Sequence, residues 1–327
     1  MTMAGQAFPI LFITGTRIGD AVLSSGLLKR LYDEIPNARF TVVAGPVAAP
    51  LFAEVPNLER LIVMTKEKND AHWFKLWWKV RGRRWGLILD MRGSGISRFL
   101  ATRKRAIYRR VDDDPPIHKV LEAARVLRCE DDPPTPYLFT NPDIEAAADD
   151  IVKGYGPILA VAPGANWVGK AWPAERFAET ATRLLRHDGP MSDGRLLIVG
   201  GPEDREAGQT MKLAVSRDRI LSYPGQLDLL TTYACLKRCR LFIGNDSGAM
   251  HMAAAAGTPT LGLFGPSDDR KYAPWGPKAR AVRGPRDLEM IRKSDPDLNQ
   301  ALCHMFDLSV DVVALAAARL LKETEHG

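Results

Sequence analysis

Short apolar runs closed by turn residues alternate along the chain with segments whose apolar positions recur every three or four residues, which is the pattern of parallel α/β units. In the first half the runs predict strands at Pro9–Thr14, Phe40–Ala44, Leu61–Met64, Leu87–Asp90 and Ala106–Tyr108. Helices are predicted near Ala21–Tyr32, Pro46–Glu54 and Ile117–Leu127. The stretch Glu130-Asp131-Asp132-Pro133-Pro134-Thr135-Pro136 cannot continue a helix and has the makeup of a linker, after which Asp143–Lys153 reads as a connecting helix. A second series then predicts strands at Ile158–Ala162, Leu196–Val199, Ile220–Ser222, Leu241–Ile243 and Thr260–Phe264. Its helices are Pro173–His187, Glu203–Val215, Leu227–Leu236 and Ser247–Ala256. A final helix, Val310–Lys322, has apolar residues at Val310, Val313, Leu315, Leu320 and Leu321. With no short internal repeat, the pattern predicts two doubly wound parallel-sheet domains facing a central cleft, with the boundary after residue 154, as 1–154 and 155–327.

Composition narrows the class. A chain of 327 residues with 46% hydrophobic and 26% charged positions buries a sizeable core. The longest weakly polar run, Ala249 to Gly265, is interrupted by His251, Gly257 and Pro259 and is too short and broken to span a bilayer. Met1 to Ile10 lacks the basic region of a secretory signal, which points to a cytoplasmic protein. Cys129, Cys235, Cys239 and Cys303 are too scattered for a disulfide framework or a paired zinc motif and read as reduced thiols.

The formal charge of +6 hides an asymmetry: residues 1–110 carry 19 Lys+Arg against 8 Asp+Glu, net +11, and the remainder 26 against 31, net −5. Much of the excess lies between Lys75 and Arg110. Such a run is either a solvated face or the footprint of an anionic partner, namely nucleic acid, a phosphorylated lipid surface or an acidic sugar. The aromatic cluster Trp73, Phe74, Trp77 and Trp78 suits an interfacial patch as well as a core.

In doubly wound sheets ligands bind beyond the carboxyl ends of the strands, so the turns leaving those strands are where chemistry belongs. Three stand out. Gly15-Thr16-Arg17-Ile18-Gly19-Asp20 matches neither the dinucleotide fingerprint nor the P-loop; its Asp20 is either the N-cap of the next helix or a general base. Pro163-Gly164-Ala165-Asn166-Trp167-Val168-Gly169-Lys170-Ala171-Trp172-Pro173 places Lys170 near a helix entrance, as a surface lysine or as a cation aimed at phosphate. Gly244-Asn245-Asp246-Ser247-Gly248-Ala249-Met250-His251 enters an Ala-rich helix whose first N–H groups form an anion site, with Ser247 and His251 on one face. Asp246 could also be a plain N-cap and His251 a buried structural histidine. The literal Asp295-Pro296-Asp297 lies in a polar loop outside the strand pattern, so no metal site is expected there.

These turns, together with Gly200-Gly201-Pro202, Gly257-Thr258-Pro259 and Phe264-Gly265-Pro266-Ser267, resemble the heptosyltransferases of glycosyltransferase family nine over nearly the whole chain. The resemblance implies an inverting enzyme of the GT-B fold with two Rossmann-like domains, the first binding acceptor and the second a nucleotide sugar. The last helix would pack back on the first domain. The implied reaction moves heptose from ADP-heptose to the lipopolysaccharide core at the cytoplasmic face of the inner membrane, with peripheral membrane contact, no nucleic acid partner, no cofactor and no metal. Matched to the family's motifs, Asp20 is the base and Lys170 the cation at the donor phosphates. Gly164, Asp246, Ser247, Gly248 and His251 complete the donor site, and Arg17, Arg92 and His118 face the acceptor. The resemblance leaves two alternatives open: a non-catalytic protein of the same fold that binds anionic lipid or glycan, and a nucleotide-sugar epimerase or hydrolase.

Overall fold

The computed structural model describes residues 7–299 and 301–325, so most of the Met1–Ile10 stretch that bears on a secretory signal lies outside the described residues. The chain divides into two compact units, one ending at Asn141 and one beginning at Pro142.

The first unit is built on five parallel strands, β1 (Phe8–Ile13), β2 (Ala38–Ala44), β3 (Leu58–Val63), β4 (Trp85–Asp90) and β5 (Thr102–Ile107), in the order β3-β2-β1-β4-β5. The central strands are apolar along their length because a parallel sheet with helices on both faces has no solvent side. Helices α1 (Ile18–Glu34), α2 (Ala71–Val80) and α3 (Lys119–Leu127) cover it. On one face, Leu76 and Val80 of α2 pack with Leu11, Ile13, Val43, Ile62 and Ile88.

Two expectations are corrected here. The helix expected over Pro46–Glu54 is only a 3-10 turn, Ala49–Phe52, because Pro50 and Pro56 leave no room for a longer ladder. The acidic, proline-rich stretch 130–136 is no free tether. It presses on α1, where a Cβ at Gly26 would lie 2.5 Å from the Pro134 carbonyl oxygen, and Arg30 donates to the Asp132 carbonyl at 2.8 Å.

The second unit opens with α4 (Pro142–Val152) and runs through β6 (Ile158–Ala162), α5 (Ala174–Leu185), β7 (Arg195–Ile198), α6 (Arg205–Met211), β8 (Ile220–Ser222), α7 (Leu229–Leu236) and β9 (Leu241–Asn245). It continues through α8 (Gly248–Ala255), β10 (Thr260–Phe264), α9 (Asp269–Tyr272), β11 (Ala279–Arg283), α10 (Leu288–Ser294) and α11 (Val310–Glu323). The sheet order is β11-β10-β9-β6-β7-β8, again all parallel.

The division between units falls ahead of α4, not after residue 154, because α4 is tied into the second unit. Glu145 pairs with Lys237 and Arg238 at 2.6 and 2.7 Å, and buried Arg195 donates to the Val152 and Lys153 carbonyls at 2.7 Å each. The last helix has its buried face, Val310, Val313, Ala317, Leu320 and Leu321, in the second unit's core beside Leu184, Leu241 and Leu261. The helix expected over Glu203–Val215 is shorter, α6 being preceded by a 3-10 turn at Pro202–Asp204.

Both sheets reverse their strand order at an interior point, between β1 and β4 in the first unit and between β6 and β9 in the second. At such a switch point the connections leave in opposite directions and open a crevice beyond the strand ends.

Candidate active site

In the second unit the two turns at the switch point are stapled by one side chain. Asn245 ends β9 wholly buried. Its Oδ1 accepts from the Trp172 backbone N–H at 3.1 Å, and its Nδ2 donates to the Pro163 carbonyl at 2.7 Å. The loop after β6 is thereby fixed at both ends against β9, and Trp172 is buried with its Nε1 donating to the Leu308 carbonyl at 2.9 Å. Within that loop a 3-10 turn, Val168–Lys170, presents Lys170 to the neighbouring turn, where Nζ meets Asp246 Oδ2 at 2.5 Å. The pair is largely shielded, with 20% of the lysine side chain and 7% of the aspartate exposed. An ammonium has three donors and Asp246 takes one, so the lysine can hold this partner and still address an anion.

Asp246 is not the cap of α8. Ser247 holds that position, makes no side-chain cap bond, and has a buried Oγ with no hydrogen-bond partner among the described residues. Gly248 is the first helical residue, and the leading N–H groups of a helix have no partner within it. His251, buried one turn further on, places Nε2 3.9 Å from the other Asp246 oxygen. The turn thus combines a cation, an orphaned hydroxyl and the positive end of a helix, a set suited to a phosphate.

Gly164 lies in the same loop for a reason the sequence did not disclose. A Cβ there would fall 2.2 Å from Asp204 Oδ1, and one at Gly200 would fall 2.3 Å from Oδ2, so the Asp204 carboxyl sits between two glycines. Burial raises its pKa above the ordinary carboxylate range, and a 2.8 Å bond from the Gly201 N–H offsets this only in part.

The first unit's switch point is arranged differently. Helix α1 begins at Ile18 with Arg17 in the cap position, so Asp20 is not the N-cap; it is exposed in the helix's first turn, where the dipole favours a carboxylate. A Cβ at Gly15 would lie 2.8 Å from Asp20 Cβ, and one at Gly45 would lie 2.7 Å from Thr16 Cα, so only glycine lets this turn close. At the end of β4, Asp90 is fully buried and accepts from the backbone N–H groups of Arg92 and Ser94 at 2.9 and 2.8 Å and from the Ser97 hydroxyl. Asp90 therefore shapes the loop, whose Arg92 side chain is exposed with its guanidinium 4.7 Å from the Trp73 ring centroid. His118 precedes α3, in the segment that follows β5. It caps α3, its Nδ1 accepting from the Val120 N–H at 3.1 Å.

Residues 100–301, more than half the chain, match the family model of glycosyltransferase family 9 (heptosyltransferase). The chain belongs to that family. As a family 9 glycosyltransferase it is 25% identical to lipopolysaccharide heptosyltransferase 2 of Salmonella typhimurium over 88% of this chain and 91% of the relative. Its fold matches that of the E. coli ADP-heptose lipopolysaccharide heptosyltransferase II with a TM-score of 0.75 at 23% identity, covering 97% of this chain and all of the other. A family 9 glycosyltransferase from Veillonella parvula gives 0.78 at 20% identity over 99% of this chain and all of the other. The expected GT-B class of two parallel-sheet α/β units is therefore the fold of this enzyme.

Two residues of this transferase's site escape a reading of the sequence alone. Asn245 could have been suspected, since an amide ending the buried run Leu-Phe-Ile-Gly must find partners inside. Asp204 lies two residues past the Gly200-Gly201-Pro202 motif but has no spacing signature. Among the described residues no group of three or more His, Cys, Asp or Glu is placed to hold a metal ion. Asp295 of the Asp-Pro-Asp sequence faces His304 Nε2 at 3.3 Å and accepts from the Asn299 N–H at 2.7 Å.

Proposed function

We propose that this transferase moves heptose from ADP-heptose to a sugar hydroxyl of the lipopolysaccharide core, with inversion at the anomeric carbon and without a metal ion. The donor and acceptor are those in the names of the Salmonella relative and the E. coli structure. The observation that carries the reading is the Lys170–Asp246 pair beside the orphaned Ser247 hydroxyl at the head of α8, a ready diphosphate cradle at a switch point.

In the reaction the acceptor oxygen attacks the anomeric carbon and its proton passes to the Asp20 carboxylate. The bond from that carbon to the phosphate oxygen breaks, and ADP departs with the electron pair. Lys170 and the N–H groups of Ser247 and Gly248 stabilise the departing charge, while Asp246 keeps the lysine in place. Gly164 leaves the loop room to close on Asp204, and His251 braces Asp246. Arg17 and Arg92 are cations for an anionic acceptor, and the reaction would run at the cytoplasmic face of the inner membrane.

The test is ADP release from a panel of nucleotide sugars, with and without an acceptor derived from lipopolysaccharide, for the parent and Asp20→Ala. The reading expects release that needs ADP-heptose and acceptor together and is nearly abolished in the variant. Acceptor-independent turnover, or an unchanged rate in the variant, contradicts it.

A further inference from the structure

Helix α2 has apolar residues on the side where a surface helix should be polar. Its buried face is His72, Leu76 and Val80, with Trp73 alongside. Phe74, Trp77, Trp78 and Arg81 recur at i, i+3, i+4 and i+7 and form a second stripe opposite the first. Phe74 is 66% exposed and Trp78 60% exposed. By contrast α5 buries Phe177, Ala181, Leu184 and Leu185 and turns Glu175, Glu179 and Thr182 outward, as a helix covering a sheet normally does.

The second stripe is a continuous ridge. Phe74 and Trp77 stack with centroids 6.0 Å apart, and the Arg81 guanidinium lies 3.7 Å from the Trp78 centroid. Trp77 Nε1 donates to the Phe99 carbonyl at 3.4 Å, which joins the ridge to a turn whose Phe99 is 77% exposed. The ground around it is cationic: residues 66–105 hold 12 Lys+Arg against 3 Asp+Glu. Of those acids, Asp90 is buried and Glu67 is paired with Lys75. Lys79, Arg84 and Arg98 are exposed.

We infer that α2 and the Phe99 turn dock this chain onto the surface of an anionic phospholipid bilayer. The aromatic ridge lies at headgroup depth, and the flanking Lys and Arg side chains reach lipid phosphates. Among the described residues no helix is long and apolar enough to cross a membrane, so the contact is one of lying on the surface. Bulky apolar rings, Phe74, Trp78 and Phe99, presented outward beside lysines and arginines suit the bilayer interface, where rings sit at headgroup level and cations meet lipid phosphate. The inference rests on the proposed reaction at the inner membrane and names the surface by which the chain would meet it. Vesicle binding needs neither donor nor acceptor sugar, so either can fail without the other.

The test is sedimentation of the full chain with vesicles of phosphatidylcholine alone and of phosphatidylcholine with phosphatidylglycerol. Binding is expected only to the anionic vesicles, weakening as salt is added. Phe74→Ser and Trp78→Ser should each weaken it by about tenfold, and Arg84→Gln and Arg98→Gln by about fivefold each. In the parent chain, brominated lipid should quench indole emission, a readout that does not depend on any variant folding. No quenching, equal binding to neutral vesicles, or unchanged binding by F74S/W78S overturns the inference. A concentration-dependent dimer that F74S/W78S dissociates, with no vesicle binding by either protein, also overturns it by assigning the ridge to a second copy.

Discussion

The two switch points of this molecule follow one topological rule and are finished in opposite ways. In the second unit the charged groups are locked before any ligand arrives: Lys170 on Asp246, the Asp204 carboxyl between Gly164 and Gly200, and both loops on Asn245. In the first unit the buried carboxylate, Asp90, spends its oxygens on its own loop, and the groups left outside, Asp20, Arg17 and Arg92, are exposed. Under the function proposed above, the diphosphate falls to the prearranged turns of the second unit and the acceptor to the exposed groups of the first. Preorganised charges stabilise a developing anion without reorganising during the reaction, whereas a proton acceptor must stay accessible to the hydroxyl it serves.

The contrast can be broken most severely at Asp20. Asp20→Asn keeps the shape and removes the carboxylate proposed as the base, so turnover should fall on the order of 10³-fold while ADP affinity is unchanged. A loss of ADP affinity instead would place Asp20 in the donor site. Next in size is the staple. Asn245→Leu strands the Trp172 N–H and the Pro163 carbonyl in the interior, at a cost of about 3 kcal/mol in denaturant unfolding, and should also weaken ADP. Asp90→Ala should destabilise comparably while leaving ADP affinity intact. Equal effects of the two on ADP would remove the distinction between the units.

A smaller effect is expected for Lys170→Met, which should weaken ADP by about 2 kcal/mol, roughly thirtyfold, by removing a charge-assisted contact. The smallest is structural. Asp228 caps α7, with Oδ1 accepting from the Thr231 N–H at 2.8 Å and Oδ2 from its hydroxyl at 2.6 Å. Burial alone would raise the pKa of this carboxyl, but the bonds from Thr231 together with those from the Leu230 and Asp228 backbone N–H groups outweigh it and the net shift is downward. A folded-state value below the unfolded one gives stability that is present above about pH 4 and is lost as pH falls through the folded value. Asp228→Ala should therefore cost about 1 kcal/mol at neutral pH, and the gap between variant and parent should close in acid. A gap that persists there would mean that packing, and not the charged cap, holds the helix end.

The apolar runs of the central strands made most of the architecture legible, and Ile158–Ala162 and Thr260–Phe264 coincide with β6 and β10. What escaped has physical reasons. The edge strand β11, Ala-Arg-Ala-Val-Arg, mixes arginine into a short run and offers no continuous apolar signal. Helix α2 carries apolar residues on two faces, which blurs the 3.6-residue period and leaves a cluster of aromatic residues in place of a helix. At the site, Lys170, Asp246 and Ser247 were visible as turn residues after strands. Their mutual arrangement was not, because it depends on Asn245 bridging to Pro163 and Trp172 in a loop more than seventy residues earlier. Burial of Cys235 and Cys239 agrees with the reading of unpaired thiols, and desolvation pushes the Cys235 thiol up to about 11.

The central claim is that the β6 and β9 turns form a cradle for a diphosphate, and a crystal structure of the full chain with ADP tests it most directly. The account predicts the diphosphate within hydrogen-bond reach of Lys170 Nζ, the Ser247 hydroxyl and the Gly248 N–H, with the lysine still touching Asp246. ADP bound with its phosphates away from these three groups would contradict it.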